Sequence, residues 1–145
     1  MSFREKIEWA TLIALTSGIG WYFVTIYHAS KAAGRSIEHG PGIMTSMMLF
    51  GVAVAIIVVI MVGTSIFFAI RTPDEANVRA DEREKAFSLR ATRFAYFLLL
   101  IGNMAIFAAA HIGHGLYFLL NLLLAVIFIA EIARVAYGLV LYRKG

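Results

Sequence analysis

The sequence predicts an all-α membrane protein with four transmembrane helices. Hydrophobic residues make up 61% of the 145 residues and charged residues only 15%, against roughly a quarter in soluble domains. The charges are also clustered: eleven of the twenty-two lie in residues 71–93, between two long apolar runs. Apolar segments of about 20 residues are long enough to cross a bilayer as helices. We therefore expect one domain that is largely embedded in lipid.

The first two spans are expected at residues 7–28 and 43–70, separated by a glycine-rich loop that contains Pro41. Span one follows basic residues and is too long for a signal-peptide core, so we expect it to remain uncleaved. Small residues recur at four-residue spacing in three spans, a pattern that lets helices approach closely in lipid. These rows are Ala10, Ala14 and Gly18; Gly51, Ala55, Val59 and Gly63; and Ala105, Ala109 and Gly113.

The charged segment predicts a helix that continues into span three. Thr72 suits a helix N-cap, Pro73 suits the first turn, and Glu75 completes the capping-box spacing. No further proline follows. We therefore expect one long helix from Pro73 to about His111, with an extended cytoplasmic part at 73–93 and a span at 90–111.

A glycine-containing turn at 112–115 predicts that span four, at 116–142, is antiparallel to span three. The distribution of Lys and Arg predicts the orientation. Six lie in residues 71–93 and two near each terminus, against two in the first loop and none in the turn. By the positive-inside rule, we expect both termini and the charged segment in the cytoplasm.

Residues 80–100, ADEREKAFSLRATRFAYFLLL, resemble a motif of small uncharacterised four-span membrane proteins of bacteria and archaea. In these proteins a cytoplasmic D-E-R-E sequence precedes the third span, and small residues follow along the helix. Asp81, Glu82, Arg83 and Glu84 match that sequence. Because members are often encoded beside helix-turn-helix regulators, the resemblance implies a cytoplasmic regulatory partner and a bacterial or archaeal cell membrane. It implies no established activity.

The layout of the spans also suggests small multidrug transporters, which carry an essential glutamate within span one. Glu8 is the only acidic residue of span one and lies at its cytoplasmic edge, which argues against that family.

The charged segment fits a solvated helix, a surface that docks another protein, or, at Arg90 and Arg93 close to the membrane, a basic patch for anionic lipid. Its six positive and five negative charges make nucleic acid a poor partner. The docking hypothesis assigns partner binding to five residues: Asp81, Glu82, Arg83, Glu84 and Phe87.

All four histidines are expected at the outer face of the membrane. The three-residue spacing of His111 and His114 can bring two imidazoles together as metal ligands, and His28 and His39 lie at the same level. Imidazoles with nearby methionines would suit copper, and imidazoles with a carboxylate would suit zinc. Three interpretations are open: a metal site, a cluster that senses acidity, and ordinary interfacial residues.

Four polar residues are expected inside the spans. Intramembrane charges are costly and often functional, so Glu131 and Arg134 fit either a paired interfacial anchor or coupling to a proton or substrate. Asn103 and Asn121 fit hydrogen bonds between helices.

The sequence has no nucleotide-binding glycine loop, no H-E-x-x-H and no serine–histidine arrangement with an acid, so catalysis is not expected. The first functional hypothesis is a sensor, regulator or accessory subunit, with homo-oligomerisation through the small-residue rows. The second is a small transporter or a protein that handles copper or zinc. The third is a structural subunit of a larger complex.

Overall fold

The computed structural model describes residues 3–36, 39–71 and 81–144, which contain four α-helices and no strand. The helices are α1 (Phe3–Ala32), α2 (Ile43–Arg71), α3 (Glu82–Ile112) and α4 (Leu116–Lys144). Each is long and apolar enough to cross a membrane. The predicted all-α architecture with four spans is therefore confirmed. At about 1.5 Å per residue each helix is roughly 45 Å long, so its ends extend beyond a hydrocarbon core of about 30 Å.

Helices α1 and α4 form the centre of the molecule. Extensive packing joins α1 to α2, α1 to α4, and α3 to α4. The helices therefore follow the order α2–α1–α4–α3. The start of α1, the start of α3 and the end of α4 lie at one end, which we call the terminal end. The α1–α2 loop (residues 33–42) and the α3–α4 turn (residues 113–115) lie at the other, which we call the loop end.

Helix α1 supplies most of the buried core. Its buried apolar side chains pack on α2 and α4 in two clusters. The first consists of Ala14, Leu15, Ile57, Val135 and Leu139. The second consists of Tyr22, Ile26 and Ala53. The small-residue row of α1 is part of this packing, because Ala14 is fully buried and Gly18 is buried against Ile57. The row of α2 lies on an exposed face instead, with nothing within 4 Å of a Cβ built on Gly51 or Gly63.

The start of α3 corrects one prediction. Asp81 has extended backbone (φ −65°, ψ 154°), and its carboxylate accepts a hydrogen bond from the Glu82 amide at 2.7 Å. An unbroken helix from Pro73 through Asp81 is therefore excluded, because Asp81 caps a helix that begins at Glu82. The predicted cap at Thr72, with the rest of residues 72–80, lies outside the described residues.

The predicted turn between α3 and α4 is confirmed. Gly113 adopts the left-handed conformation (φ 93°) that commonly ends a helix. Its amide donates to the Ala110 carbonyl, and the His114 amide donates to the Ala109 carbonyl. Helix α4 then returns antiparallel to α3, and Ala91 and Ala95 are buried in α3.

Candidate functional site

The inner side of the first turns of α3 is attached to α1 and α4 at the terminal end. Glu84 Oε2 lies 3.3 Å from Arg4 Nε in an ion pair. Phe87 packs edge-to-face on Tyr142, with ring centroids 5.9 Å apart. Both Glu84 and Phe87 are half-buried. Two of the five predicted partner-binding residues, Glu84 and Phe87, therefore contact other helices of the same chain.

The outer side of the same turns is exposed. Asp81, Glu82 and Arg83 are all exposed. Glu82 forms an ion pair with Lys85 one turn along the helix, and the Arg83 guanidinium lies 5.6 Å from the Phe87 ring centroid. The exposed side of these turns thus carries both acidic and basic groups, and the opposite side contacts α1 and α4.

Glu131 and Arg134 form the predicted pair inside α4. Arg134 donates from Nε and Nη2 to Glu131 Oε1, at 2.9 and 2.7 Å. Glu8 of α1 lies within electrostatic range of both. Sequence reasoning placed Glu8 at the membrane edge and gave it no partner. It becomes the third member of this cluster because α1 packs against α4, a pairing that hydropathy does not reveal.

An open cavity of about 510 Å³ separates α1, α3 and α4 at this end. Glu8 lines it together with Arg4 and Glu84, so Glu8 faces the same cavity as the first turn of α3. Trp9 lies nearby in sequence, its ring 5.5 Å below the Arg143 guanidinium. Its indole Nε1 is buried and has no hydrogen-bond partner among the residues that the structure describes. Most charged residues of the described structure lie at this terminal end, and only Lys31 and Arg35 lie at the loop end.

The four histidines each have a local contact. His28 is exposed beside Tyr27, and the His39 ring meets the Ser36 hydroxyl at 2.8 Å. The His111 and His114 rings lie 4.5 and 4.6 Å from neighbouring phenylalanine rings. Within the described ranges, no three His, Asp or Glu side chains come together as metal ligands. The copper hypothesis, which includes methionine ligands, stays a prediction, as do the sensing of acidity and an ordinary interfacial role.

The two asparagines behave differently. Asn121 accepts a hydrogen bond from the Tyr22 hydroxyl at 3.0 Å, which joins α4 to α1 as predicted. Asn103 lies on the exposed face of α3 and donates to the Leu99 carbonyl of its own helix at 2.9 Å. Only Asn121 forms the predicted bond between helices in the part of the chain that is described.

Tyr117 contacts both the α1–α2 loop and α2 at the loop end, and sequence reasoning did not identify it. Its hydroxyl accepts a hydrogen bond from Ser46 at 3.1 Å. Gly40, with φ 58°, packs so closely that an added Cβ would lie 1.9 Å from the Tyr117 ring. Sequence reasoning noted that the first loop is rich in glycine, but nothing in the sequence indicates that Gly40 packs against the Tyr117 ring.

No protein-family model, curated protein or solved structure matches this chain. By the length and composition of its helices, it is a multi-pass helical membrane protein. The resemblance to four-span proteins with a D-E-R-E sequence stays a prediction, and any functional assignment must rest on the geometry of the two ends.

Proposed function

We propose that this protein is a non-enzymatic regulatory or accessory subunit of the cell membrane whose α3 N-terminal end docks a cytoplasmic protein. The supporting observation is the two-sided environment of the first α3 turns. Glu84 and Phe87 are engaged by α1 and α4, whereas Glu82 and Arg83 are exposed.

This arrangement suits recognition because the helix end is restrained before a partner arrives. Arg4 and Tyr142 hold the inner side, so binding on the outer side orders fewer groups and loses less entropy. A shift of α1 against α4 also changes the position of Glu84 through its ion pair with Arg4. The outer surface can therefore report a rearrangement of the spans to a soluble partner.

The exposed surface is chemically mixed. Asp81 and Glu82 present negative charge, and Arg83 presents positive charge within the same turn. Such a surface favours a protein with complementary charges of both signs, since complementarity mainly determines specificity and association rate. The excess of Lys and Arg at the terminal end supports a cytoplasmic location for it.

Self-association is a second part of this proposal. The α2 row that contains Gly51 and Gly63 is exposed, and Asn103 presents an amide group on the outer face of α3. Small residues and intramembrane amides both favour helix association in lipid. These features support homo-oligomers in the bilayer.

Site-specific photocrosslinking in native membranes tests the docking proposal. A crosslinker at exposed Ala86 should capture one polypeptide of defined mass that is not a second copy of this chain, whereas the same group at Phe97, which is 64% exposed further along α3, should not give that product. The exchange Glu82→Lys with Arg83→Glu should abolish this product and leave membrane insertion intact. Lys31→Glu, at the loop end, serves as the control.

Equal capture from both positions, or capture that survives the charge exchange, contradicts the docking proposal. The loss of one exposed ion pair between Glu82 and Lys85 costs only about 0.2–1 kcal/mol. Misfolding therefore does not explain a lost product, and protease protection of the spans verifies this point for each variant.

The alternative function, a small transporter, is favoured by one observation: Glu8 lines an open cavity and lies within electrostatic range of Glu131 and Arg134. Acidic groups of this kind form proton relays in membrane proteins. Proton flux into liposomes with an entrapped pH-sensitive dye tests it. Flux that is lost on Glu131→Gln and kept on Glu82→Gln supports the alternative, and absence of flux in the wild type rejects proton transport.

A further inference from the structure

We propose that the loop end binds one anionic phospholipid, with its phosphate between Arg35 and His39 and an acyl chain in the groove between α2 and α4. This proposal is independent of docking at the terminal end. It rests on a basic cavity, an apolar groove and the residue that separates them.

The headgroup position is an open cavity of about 620 Å³ at the loop end, where Arg35 and His39 supply the cationic and ring-nitrogen groups. Both side chains are exposed, and Arg35 forms no ion pair with any residue that the structure describes. Guanidinium groups bind phosphate through two parallel hydrogen bonds. His39 engages Ser36 through Nδ1, which leaves Nε2 as the ring nitrogen that a ligand would meet. Glycine backbone forms much of the remaining wall.

The acyl-chain position is an apolar groove of about 240 Å³ between α2 and α4. Its α4 wall runs from Tyr117 to Ile127, which corresponds to about 15 Å at 1.5 Å per residue. Met47 and Phe50 form part of the α2 wall. Ile43 and Tyr117 line both this groove and the headgroup cavity, so the two spaces adjoin at these residues.

Tyr117 marks the boundary between the two spaces and is held in place. Ser46 donates to its hydroxyl, and Gly40 lies against its ring where a larger residue would overlap it. The order from the loop end inward is therefore a guanidinium, a phenol and an apolar groove. A phospholipid presents matching groups in the same order: phosphate, ester linkage and hydrocarbon. A preformed site of this kind lowers the entropic cost of binding.

Native mass spectrometry of the full-length protein in mild detergent tests the proposal. The probes are dioleoylphosphatidylglycerol, dioleoylphosphatidylcholine and inorganic phosphate. We expect a one-lipid adduct with phosphatidylglycerol, and weaker binding of phosphatidylcholine. Arg35→Gln should weaken the phosphatidylglycerol adduct about tenfold or more, as expected for the loss of one charge-assisted contact.

Lys31→Gln is the matched control, because it removes the same charge from an exposed residue near the loop end that does not line the cavity. Leu120→Trp should obstruct the groove and also weaken the adduct, whereas Ile129→Trp, outside the groove on α4, should not. Equal losses for Arg35→Gln and Lys31→Gln overturn the proposal, since they indicate general surface charge. Equal binding of both lipids also overturns it. Displacement of the lipid by equimolar inorganic phosphate identifies an ion site without a chain and rejects the phospholipid.

Discussion

At the scale of single residues, Gly18 shows how α1 and α2 pack in the absence of a hydrophobic force between helices in lipid. A Cβ at Gly18 would lie 2.4 Å from Ile57 Cγ1 and 3.2 Å from the Ala53 carbonyl oxygen. The side chain can move, but the carbonyl belongs to the backbone of α2. The close approach of α1 and α2 therefore requires glycine at position 18, because any side chain there would meet the backbone of α2. The dispersion contacts between the two helices depend on this approach.

Gly18→Ala should destabilise the protein by about 1–3 kcal/mol, the usual cost of overpacking a well-packed interface. The measurement is unfolding in mixed micelles, followed by tryptophan fluorescence. Gly20→Ala is the matched control, because nothing lies within 4 Å of its added Cβ. That variant should be neutral or slightly more stable, since alanine favours a helix by about 0.5–1 kcal/mol over glycine. Equal losses for both variants would indicate a general effect on α1.

The ion pair in α4 gives a second prediction at this scale. Arg134 donates twice to Glu131 and also lies within electrostatic range of Glu8. Arg134→Gln leaves two half-buried acidic residues without this cation, whereas Glu131→Gln leaves Arg134 with Glu8. Arg134→Gln should therefore cost more stability than Glu131→Gln. In unfolding experiments, the loss in free energy of unfolding for the double variant should be smaller than the sum of the two single losses, by about 0.5–3 kcal/mol. If the two losses in free energy simply add, Glu131 and Arg134 are not directly coupled.

At the scale of secondary structure, the start of α3 shows a helix cap that sequence reasoning did not consider. The sequence analysis predicted a helix start at Thr72 and Pro73, which lie outside the described residues, and gave no capping role to Asp81. The structure places a cap at Asp81, whose carboxylate binds the Glu82 amide. Threonine and aspartate are both favourable N-cap residues, so local propensity alone does not reveal that a helix begins at Glu82. The Arg4–Glu84 and Phe87–Tyr142 contacts then fix the turns that follow Asp81.

Asp81→Ala should loosen the first turn of α3 at a cost of about 0.5–2 kcal/mol, the range for loss of an N-cap. Amide hydrogen exchange should increase at residues 82–85 and remain unchanged beyond Ala91, which is buried. Asp81→Asn retains a side-chain acceptor and should exchange like the wild type. Increased exchange along the whole of α3 would contradict a local cap.

At the scale of the whole molecule, the number of spans and the α3–α4 hairpin could be predicted from the sequence, but the other helix neighbours could not. Apolar length identifies each span, and the glycines at 112–115 identify the α3–α4 hairpin. Lipid is as apolar as the protein interior, so the exposed and buried faces of a span differ little in hydropathy. Val59 and Ile57 illustrate this, because the first is 70% exposed and the second is buried. The order α2–α1–α4–α3 and the position of Glu8 beside α4 therefore required the structure.

Pairs of introduced cysteines test this helix order, and the absence of native cysteine makes the result unambiguous. A Cβ built on Gly138 lies 4.0 Å from Ala91 Cβ, within the range of about 3.5–4.5 Å for disulfides. Oxidation of the double variant Ala91→Cys with Gly138→Cys should therefore join α3 to α4 within one chain and protect both thiols from maleimide labelling. Val59→Cys with Ile101→Cys, on the exposed faces of α2 and α3, should form no bond within a chain, because these helices share no extensive interface. A Val59–Ile101 bond within a monomer would show that α2 and α3 are adjacent and exclude this order. A bond between two chains preserves the order and supports self-association through the outer helices.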